Sequence, residues 1–325
     1  MERSAWGGEM NMADTIVRHQ FQQRLTYNRF NEEHLRGGPI GAATNRVLVV
    51  GDSFTFGWLV DETNAFVSRL NQLVSANYPP KSFEFLNGGA PSWGTSDYVA
   101  FVENLGERIH PAAIVVFLNN DDVERSVRHA FYRLNPANSN AVVADTALFA
   151  ATPKKNLRAS PLFRWMVEHV ELAQFVRIVL QGQEHPHQDM TSADVHGKED
   201  TAYALQLEQA LFLHLRAWCA AHHCRLLVMT TGFNGFPKFP LGLNDGAANK
   251  IFFQEASNFF SRNDIAFHDL GPELSAAVNG DFLPITIPRD FHPNERGHEL
   301  IAQLAWPWLK LQLQDMLAAK ADNSH

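Results

Sequence analysis

Ser53 lies in Gly51-Asp52-Ser53-Phe54-Thr55-Phe56-Gly57, directly after the apolar run Arg46 to Val50. A serine in a tight turn between a strand and a helix presents its hydroxyl at the helix N-terminus, where backbone N–H groups and the helix dipole favour a developing anion. That placement suits a nucleophile; the ordinary alternative is a serine that only caps the helix. The turn lacks the Lys-Ser/Thr pair of a nucleotide phosphate loop. In Phe117-Leu118-Asn119-Asn120-Asp121, a side-chain amide could donate to an oxyanion, although Asn and Asp leaving a strand more commonly close a turn. Asp290 and His292 stand two apart in Arg289-Asp290-Phe291-His292-Pro293-Asn294, so in an extended segment both side chains leave on one face. A carboxylate on one ring nitrogen of His292 would leave the other as a base for a nearby hydroxyl. His298, inside the following helix, reads as a structural hydrogen-bonding residue.

These residues need a scaffold that brings distant loops together. Arg46 to Val50, Phe83 to Leu86, Ala113 to Leu118, Arg225 to Met229 and Ile265 to Leu270 read as short buried strands. Helical spacing over Asn64 to Val74, Tyr98 to Leu105, Leu205 to Ala221 and Ile251 to Phe260 alternates with them. A last helix is expected from Pro293-Asn294 until Pro307 disturbs it. Strands alternating with helices predict an α/β fold, a central parallel sheet with helices on both faces. Ligands then bind beyond the carboxyl ends of the strands, where all three chemical loops fall. The rhythm lapses between 121 and 200, where Asn/Pro/Ser-rich loops and one amphipathic stretch, Leu162 to Leu180, indicate an insertion or cap. The expected organisation is an N-terminal surface segment over 1–40, a core over 41–120 and 201–325, and the insertion over 121–200.

The chain has 325 residues, 45% of them apolar and 19% charged, which fits a globular protein. A formal charge of −8 leaves no basic footprint for nucleic acid or anionic lipid. No apolar run reaches the length of a membrane helix and no hydrophobic leader opens the chain, so the cytoplasm is the expected compartment. The cysteines, Cys219 and Cys224, fall in a helix-to-strand passage; their side chains are expected on different faces, with no disulfide.

Four blocks, LVVGDSFTFGW, NGGAPSWGTSDY, IVVFLNND and DFHPNERGHELIA, resemble in order and spacing those of the GDSL-type esterases and lipases, the SGNH hydrolase superfamily. The resemblance implies a flavodoxin-like three-layer fold, with Ser53 as nucleophile, His292 as general base and Asp290 as its orienter. It also implies an oxyanion hole made by the Ser53 N–H, a backbone N–H of the second block and the Asn120 amide. Alignment of that block favours Ser92 as donor, with Gly94 as the alternative. The family's commoner spacing is Asp-x-x-His, which would place Arg289 in the orienting position, and an arginine cannot accept from an imidazole.

The implied activity is hydrolysis of an ester, such as an O-acetyl or other O-acyl group on a carbohydrate or small molecule, with neither cofactor nor metal. An O-acyltransferase using the same site and a non-catalytic carbohydrate-binding protein are the alternatives. A histidine base predicts activity falling below about pH 6.5. Phe233, Phe236 and Phe239 could wall an acyl pocket or pack against the insertion, and Trp58 and Trp93 could stack on a sugar or pack. Glu184-His185-Pro186-His187 lacks the spacing of a metal site, and His222-His223 reads as an exposed helix end.

Overall fold

The computed structural model describes residues 1–145, 198–236, 239 and 246–322. Two hairpins open the chain, β1 (Glu2–Arg3) with β2 (Glu9–Met10) and β3 (Thr15–Phe21) with β4 (Arg24–Phe30). The central sheet has five parallel strands: β5 (Asn45–Gly51), β6 (Phe83–Asn87), β7 (Ala113–Leu118), β10 (Arg225–Thr230) and β11 (Ala266–His268). Between β7 and β10 lies the antiparallel pair β8 (Tyr132–Asn135) and β9 (Asn138–Ala144). The sheet order is β6-β5-β7-β10-β11. Counted along the chain, this is the 2-1-3-4-5 order of flavodoxin-like sheets. The order reverses between β5 and β7, and the crevice at such a switch point is where an open α/β sheet takes its ligand.

Eight helices are described: α1 (Ser53–Phe56), α2 (Phe66–Asn77), α3 (Thr95–Ile109), α4 (Asp122–His129), α5 (Lys198–Ala221), α6 (Ala247–Arg262), α7 (Gly271–Ala277) and α8 (Glu295–Asp322). Strand side chains alternate between faces, so β5 sends Val47 and Val49 to one core and Leu48 and Val50 to the other. α2 and α8 cover the first core through Phe66, Leu70, Ile301 and Leu309; α3, α5 and α6 cover the second through Phe101, Leu211 and Phe260. Both faces of the sheet are therefore dry, which explains why its strands read as unbroken apolar runs.

Four local expectations are corrected. The first 40 residues do not simply lie on the surface: they form the two hairpins and bury Trp6, Phe30, Leu35 and Arg36. Strand alternation is visible there, since β4 buries Thr26, Asn28 and Phe30 and exposes the residues between, but two of those three buried positions are polar and give no apolar rhythm. Pro307 does not end the last helix; α8 runs 28 residues through it. Ala305, Trp306 and Leu309 are buried against the sheet around that point, and this packing outweighs the lost hydrogen bond, a penalty of about 3 kcal/mol. β11 is shorter than expected, three residues rather than six.

Cys219 and Cys224, expected on different faces, are neighbours. The Cys224 N–H donates to the Cys219 carbonyl at 2.8 Å and His223 is left-handed at φ 54, the closure of a Schellman cap. That cap turns the two flanking side chains toward each other. Both thiols are free and buried, and the Cys224 thiol together with burial pushes Cys219 well up.

Within 121–200, α4 and the β8–β9 hairpin are described, and β9 packs on α5. The Leu162 to Leu180 stretch and the Glu184 to His187 cluster lie outside the described residues. No described helix is long and apolar enough to cross a membrane.

One buried carboxyl on α5 makes stability depend on pH. Glu208 of α5 is fully buried, accepts from the Thr95 hydroxyl, leaves its second oxygen unpartnered, and is pushed by burial from 4.5 to about 7. The folded chain keeps this proton where the unfolded chain has lost it, so stability falls as pH rises from about 4.5 to about 7. Glu208→Gln is expected to raise the melting temperature at pH 8 and to leave it near wild type at pH 4, as followed by thermal unfolding.

Candidate active site

Ser53 opens the single-turn helix α1 at the carboxyl end of β5. Asp52, fully buried, caps that helix by accepting the Phe54 N–H at 2.8 Å. The turn closes at once because Gly57 takes a left-handed conformation (φ 83) and donates to the Ser53 carbonyl. Gly89 lets the β6 loop lie against it: a β-carbon there would sit 2.5 Å from the Phe56 nitrogen. The buried Arg36 closes the far side, its guanidinium donating to the carbonyls of Phe56, Gly57 and Val60. Burial lowers its pKa to about 10 despite the nearby carboxylates of Glu62 and Asp61, so it stays charged at neutral pH. This arginine, brought by the segment after the second hairpin, escaped sequence reasoning because no motif marks it.

His292 arrives from the loop before α8. Its Nε2 lies 2.8 Å from Ser53 Oγ and its Nδ1 lies 2.7 Å from Asp290 Oδ1. The same Asp290 oxygen also accepts the His292 backbone N–H at 3.2 Å. This loop is a turn and not the extended segment that the two-residue spacing suggests: the Asp290 and Phe291 N–H groups both donate to the Ile287 carbonyl. Arg289 (φ 68) and Phe291 (φ 69) flank Asp290 in the left-handed region, which costs a non-glycine residue on the order of 1 kcal/mol or more each. Asn294 holds the turn in place, donating to the Pro284 and Thr286 carbonyls and accepting from the Arg296 and Gly297 N–H groups that begin α8. Arg289, the residue at the commoner spacing, is exposed.

Burial would raise the Asp290 carboxyl, but the His292 ring N–H and charge, the His292 amide and the Trp58 indole together hold it below the usual aspartate value. The carboxylate is thus kept ionised, as an orienter of imidazole must be. Trp58 is half-buried, its ring 4.6 Å from that of His19 and 6.2 Å from that of His292. Trp93 is buried and donates its indole N–H to the Glu9 carbonyl, so it packs the N-terminal segment and is not presented for stacking on a ligand. Phe233 and Phe239 are buried edge-on to Phe54 at 5.0 and 6.2 Å, which makes them a backing for the serine turn.

Asn120 follows β7 and is 5% exposed; its Oδ1 is buried with no hydrogen-bond partner. Its neighbour Asn119 does structural work, donating to Asp52 at 2.8 Å and accepting from the Thr231 hydroxyl at 3.1 Å. In the second block, Gly94 N–H is already engaged by the Asp97 carboxylate at 3.0 Å at the start of α3. Ser92 is exposed and left-handed (φ 66), and among the described residues its N–H makes no hydrogen bond. His298 is fully buried, accepts the Phe66 N–H at 3.3 Å, and is lowered to about 3 by burial and by Arg36, Arg69 and His292. It is a neutral structural residue, as its place in the helix suggested.

Asp52, Asp121 and Asp122 lie close enough together to ligate a cation. The guanidinium of Arg125 supplies that charge, 2.9 Å from Asp52 and 2.5 Å from Asp121. Burial and the Asp52 charge raise Asp121 to about 6 even with Arg125 beside it, and the same causes raise Asp122 further.

No family model and no curated protein matches this chain. Among solved structures it is similar to a lipolytic protein of the G-D-S-L family from Desulfitobacterium hafniense DCB-2, at 14% identity over 81% of this chain and 98% of that one, with a TM-score of 0.45. It is likewise similar to a catalytic mutant of Axe2, an acetylxylan esterase from Geobacillus stearothermophilus, at 14% identity over 82% of this chain and 94% of that one, with a TM-score of 0.47. A third is the psychrotrophic esterase EstA from Pseudoalteromonas sp., at 11% identity over 83% of this chain and 99% of that one, with a TM-score of 0.45.

Proposed function

We propose that this protein is a serine ester hydrolase working through an acyl-enzyme on Ser53. The observation that carries the reading is the unbroken line Ser53 Oγ, His292 Nε2, His292 Nδ1, Asp290 Oδ1, with contacts of 2.8 and 2.7 Å. With Asp290 on Nδ1–H, the unprotonated Nε2 faces the hydroxyl. His292 takes the proton as Ser53 Oγ attacks the ester carbonyl, and returns it to the leaving alcohol. Water, deprotonated by the same nitrogen, then releases the acid and restores the serine.

The oxyanion of each tetrahedral intermediate would be held by the Ser53 N–H, the Ser92 N–H and the Asn120 side-chain amide. Ser92 is preferred to Gly94 because the Gly94 N–H is spent on Asp97. Asn120 suits the role because its amide is neutral and its side chain is almost fully enclosed. Asn120→Ala is expected to lower kcat by about 10²- to 10³-fold with little change in KM, since this donor is used chiefly in the transition state. Initial rates with p-nitrophenyl acetate measure it.

The reading as a whole is tested by labelling with a fluorophosphonate probe, followed by peptide mapping. Adduct on Ser53, together with p-nitrophenyl acetate turnover that the probe abolishes, is the expected result. Folded protein that takes no label and hydrolyses no activated ester would overturn it.

A further inference from the structure

We infer that Arg125 is a positioning residue that clamps the three loops of the oxyanion hole into one unit, an inference that rests on the acyl-enzyme reading above. Arg125 stands in the first turn of α4, and its side chain is 17% exposed. One guanidinium nitrogen donates both to Asp52 Oδ2 at 2.9 Å and to the Trp93 carbonyl at 3.1 Å. The other donates to Asp121 Oδ2 at 2.5 Å. Each partner is the chain neighbour of a proposed oxyanion donor: Asp52 precedes Ser53, Trp93 follows Ser92, and Asp121 follows Asn120.

The three loops leave three different strands, β5, β6 and β7, so their spacing beyond the sheet is not set by the ladder hydrogen bonds. A planar guanidinium with a fixed fork of donors can set it, whereas an ammonium is a single point of charge. The site is built around this side chain. Gly94 passes so close that a β-carbon there would lie 2.7 Å from Arg125 Cβ, and Asn119 joins the same Asp52 oxygen from β7. The carboxylates next to the hole are the clamp's anchors, so the function of this acidic cluster is to be held by a cation of the chain itself.

Arg125 touches neither Ser53 nor His292 in the hydrogen-bond network, so its loss should act through donor placement. A misplacement of about 1 Å can cost about 10²-fold in rate. Arg125→Lys keeps a charge but loses the fork. It is expected to lower kcat by about 10²-fold, to leave KM within a few-fold, and to weaken a boronic acid transition-state analogue in parallel with kcat. Asp121→Asn removes one anchor while sparing the arginine and should give a smaller loss of the same kind, which covers the case in which Arg125→Lys fails to fold. Combined with Asn120→Ala, either variant should cost clearly less than in the wild-type background, because one of the donors it displaces is already absent.

Folded variants with wild-type kcat overturn the clamp. So do losses that leave analogue affinity untouched or that multiply independently with Asn120→Ala. If the wild-type protein itself takes no fluorophosphonate label and turns over no ester, the acyl-enzyme reading fails and the clamp falls with it. A labelled, active wild type with insensitive variants removes the clamp alone.

Discussion

Ser53→Ala is expected to lower turnover of p-nitrophenyl acetate by about 10⁶-fold, to the level that binding and oxyanion stabilisation provide without a nucleophile. The loss should be this large because the hydroxyl is the only atom of the serine side chain in the reaction, and His292 Nε2 already lies 2.8 Å from it. The substitution should spare the fold. The Ser53 backbone keeps its place in α1 through Asp52 and Gly57, and the hydroxyl's sole described partner is the histidine. Steady-state rates on protein with an unchanged unfolding curve are the measurement; a loss below tenfold would remove Ser53 from the mechanism. The fluorophosphonate adduct should disappear in the same variant.

Asp290→Asn comes next, with an expected fall in kcat of about 10⁴-fold. An asparagine here has nearly the same shape, so its effect reports on the proton. Asp290 Oδ1 accepts both the ring Nδ1–H and the main-chain N–H of His292. An amide that presents its NH₂ to the ring stabilises the tautomer with the proton on Nε2, where it faces Ser53 as a donor and cannot accept a proton. The Asp290 carboxyl is held below its usual range, so wild-type activity should not be limited by its protonation above about pH 4. Measured kcat for Asp290→Asn within tenfold of wild type would show that another group orients the imidazole. Arg289→Ala serves as the control at the commoner position; that residue is exposed and should be replaceable without loss of kcat.

The stability linkage of Asp290 runs opposite to that of Glu208. A carboxyl lowered on folding stabilises the chain above the unfolded aspartate value of 3.8, and that contribution is lost as pH falls below it. Glu208, raised on folding, costs stability as pH rises toward about 7. The two groups therefore act in different pH windows, so a change seen in Glu208→Gln at pH 8 cannot come from Asp290.

Much of the sheet was legible because buried parallel strands have a local signature. Val47 to Val50 and Ala113 to Leu118 are apolar at every position, since both sides of the sheet are covered. Helix α4 and the β8–β9 hairpin escaped notice because their sequences are polar and short; α4 is Asp-Val-Glu-Arg-Ser-Val-Arg-His. The same holds for the first 40 residues, where buried Asn28, Asn31 and Arg36 carry structure through hydrogen bonds that no hydrophobic period records. Pro307 misled because a local rule, the missing N–H, was opposed by burial on distant strands. At Cys219 and Cys224 the deciding feature was a left-handed His223, which residue identity does not announce.

By itself the sequence determined which chemical groups stand at the ends of which strands. A serine after β5, an amide after β7 and an aspartate and histidine before the last helix follow from local patterns of apolar runs and turn residues. Packing of the strands and their loops brings Ser53 and His292, 239 positions apart, into a hydrogen bond. It also decided that Asp290 reaches His292 through a left-handed turn and that Arg125 and Arg36 brace the serine loop. The physical reason is range: backbone propensity and periodicity act over a few residues. The meeting of loops from separate strands depends on sheet order, helix packing and buried charge pairing, terms that no short window of sequence contains.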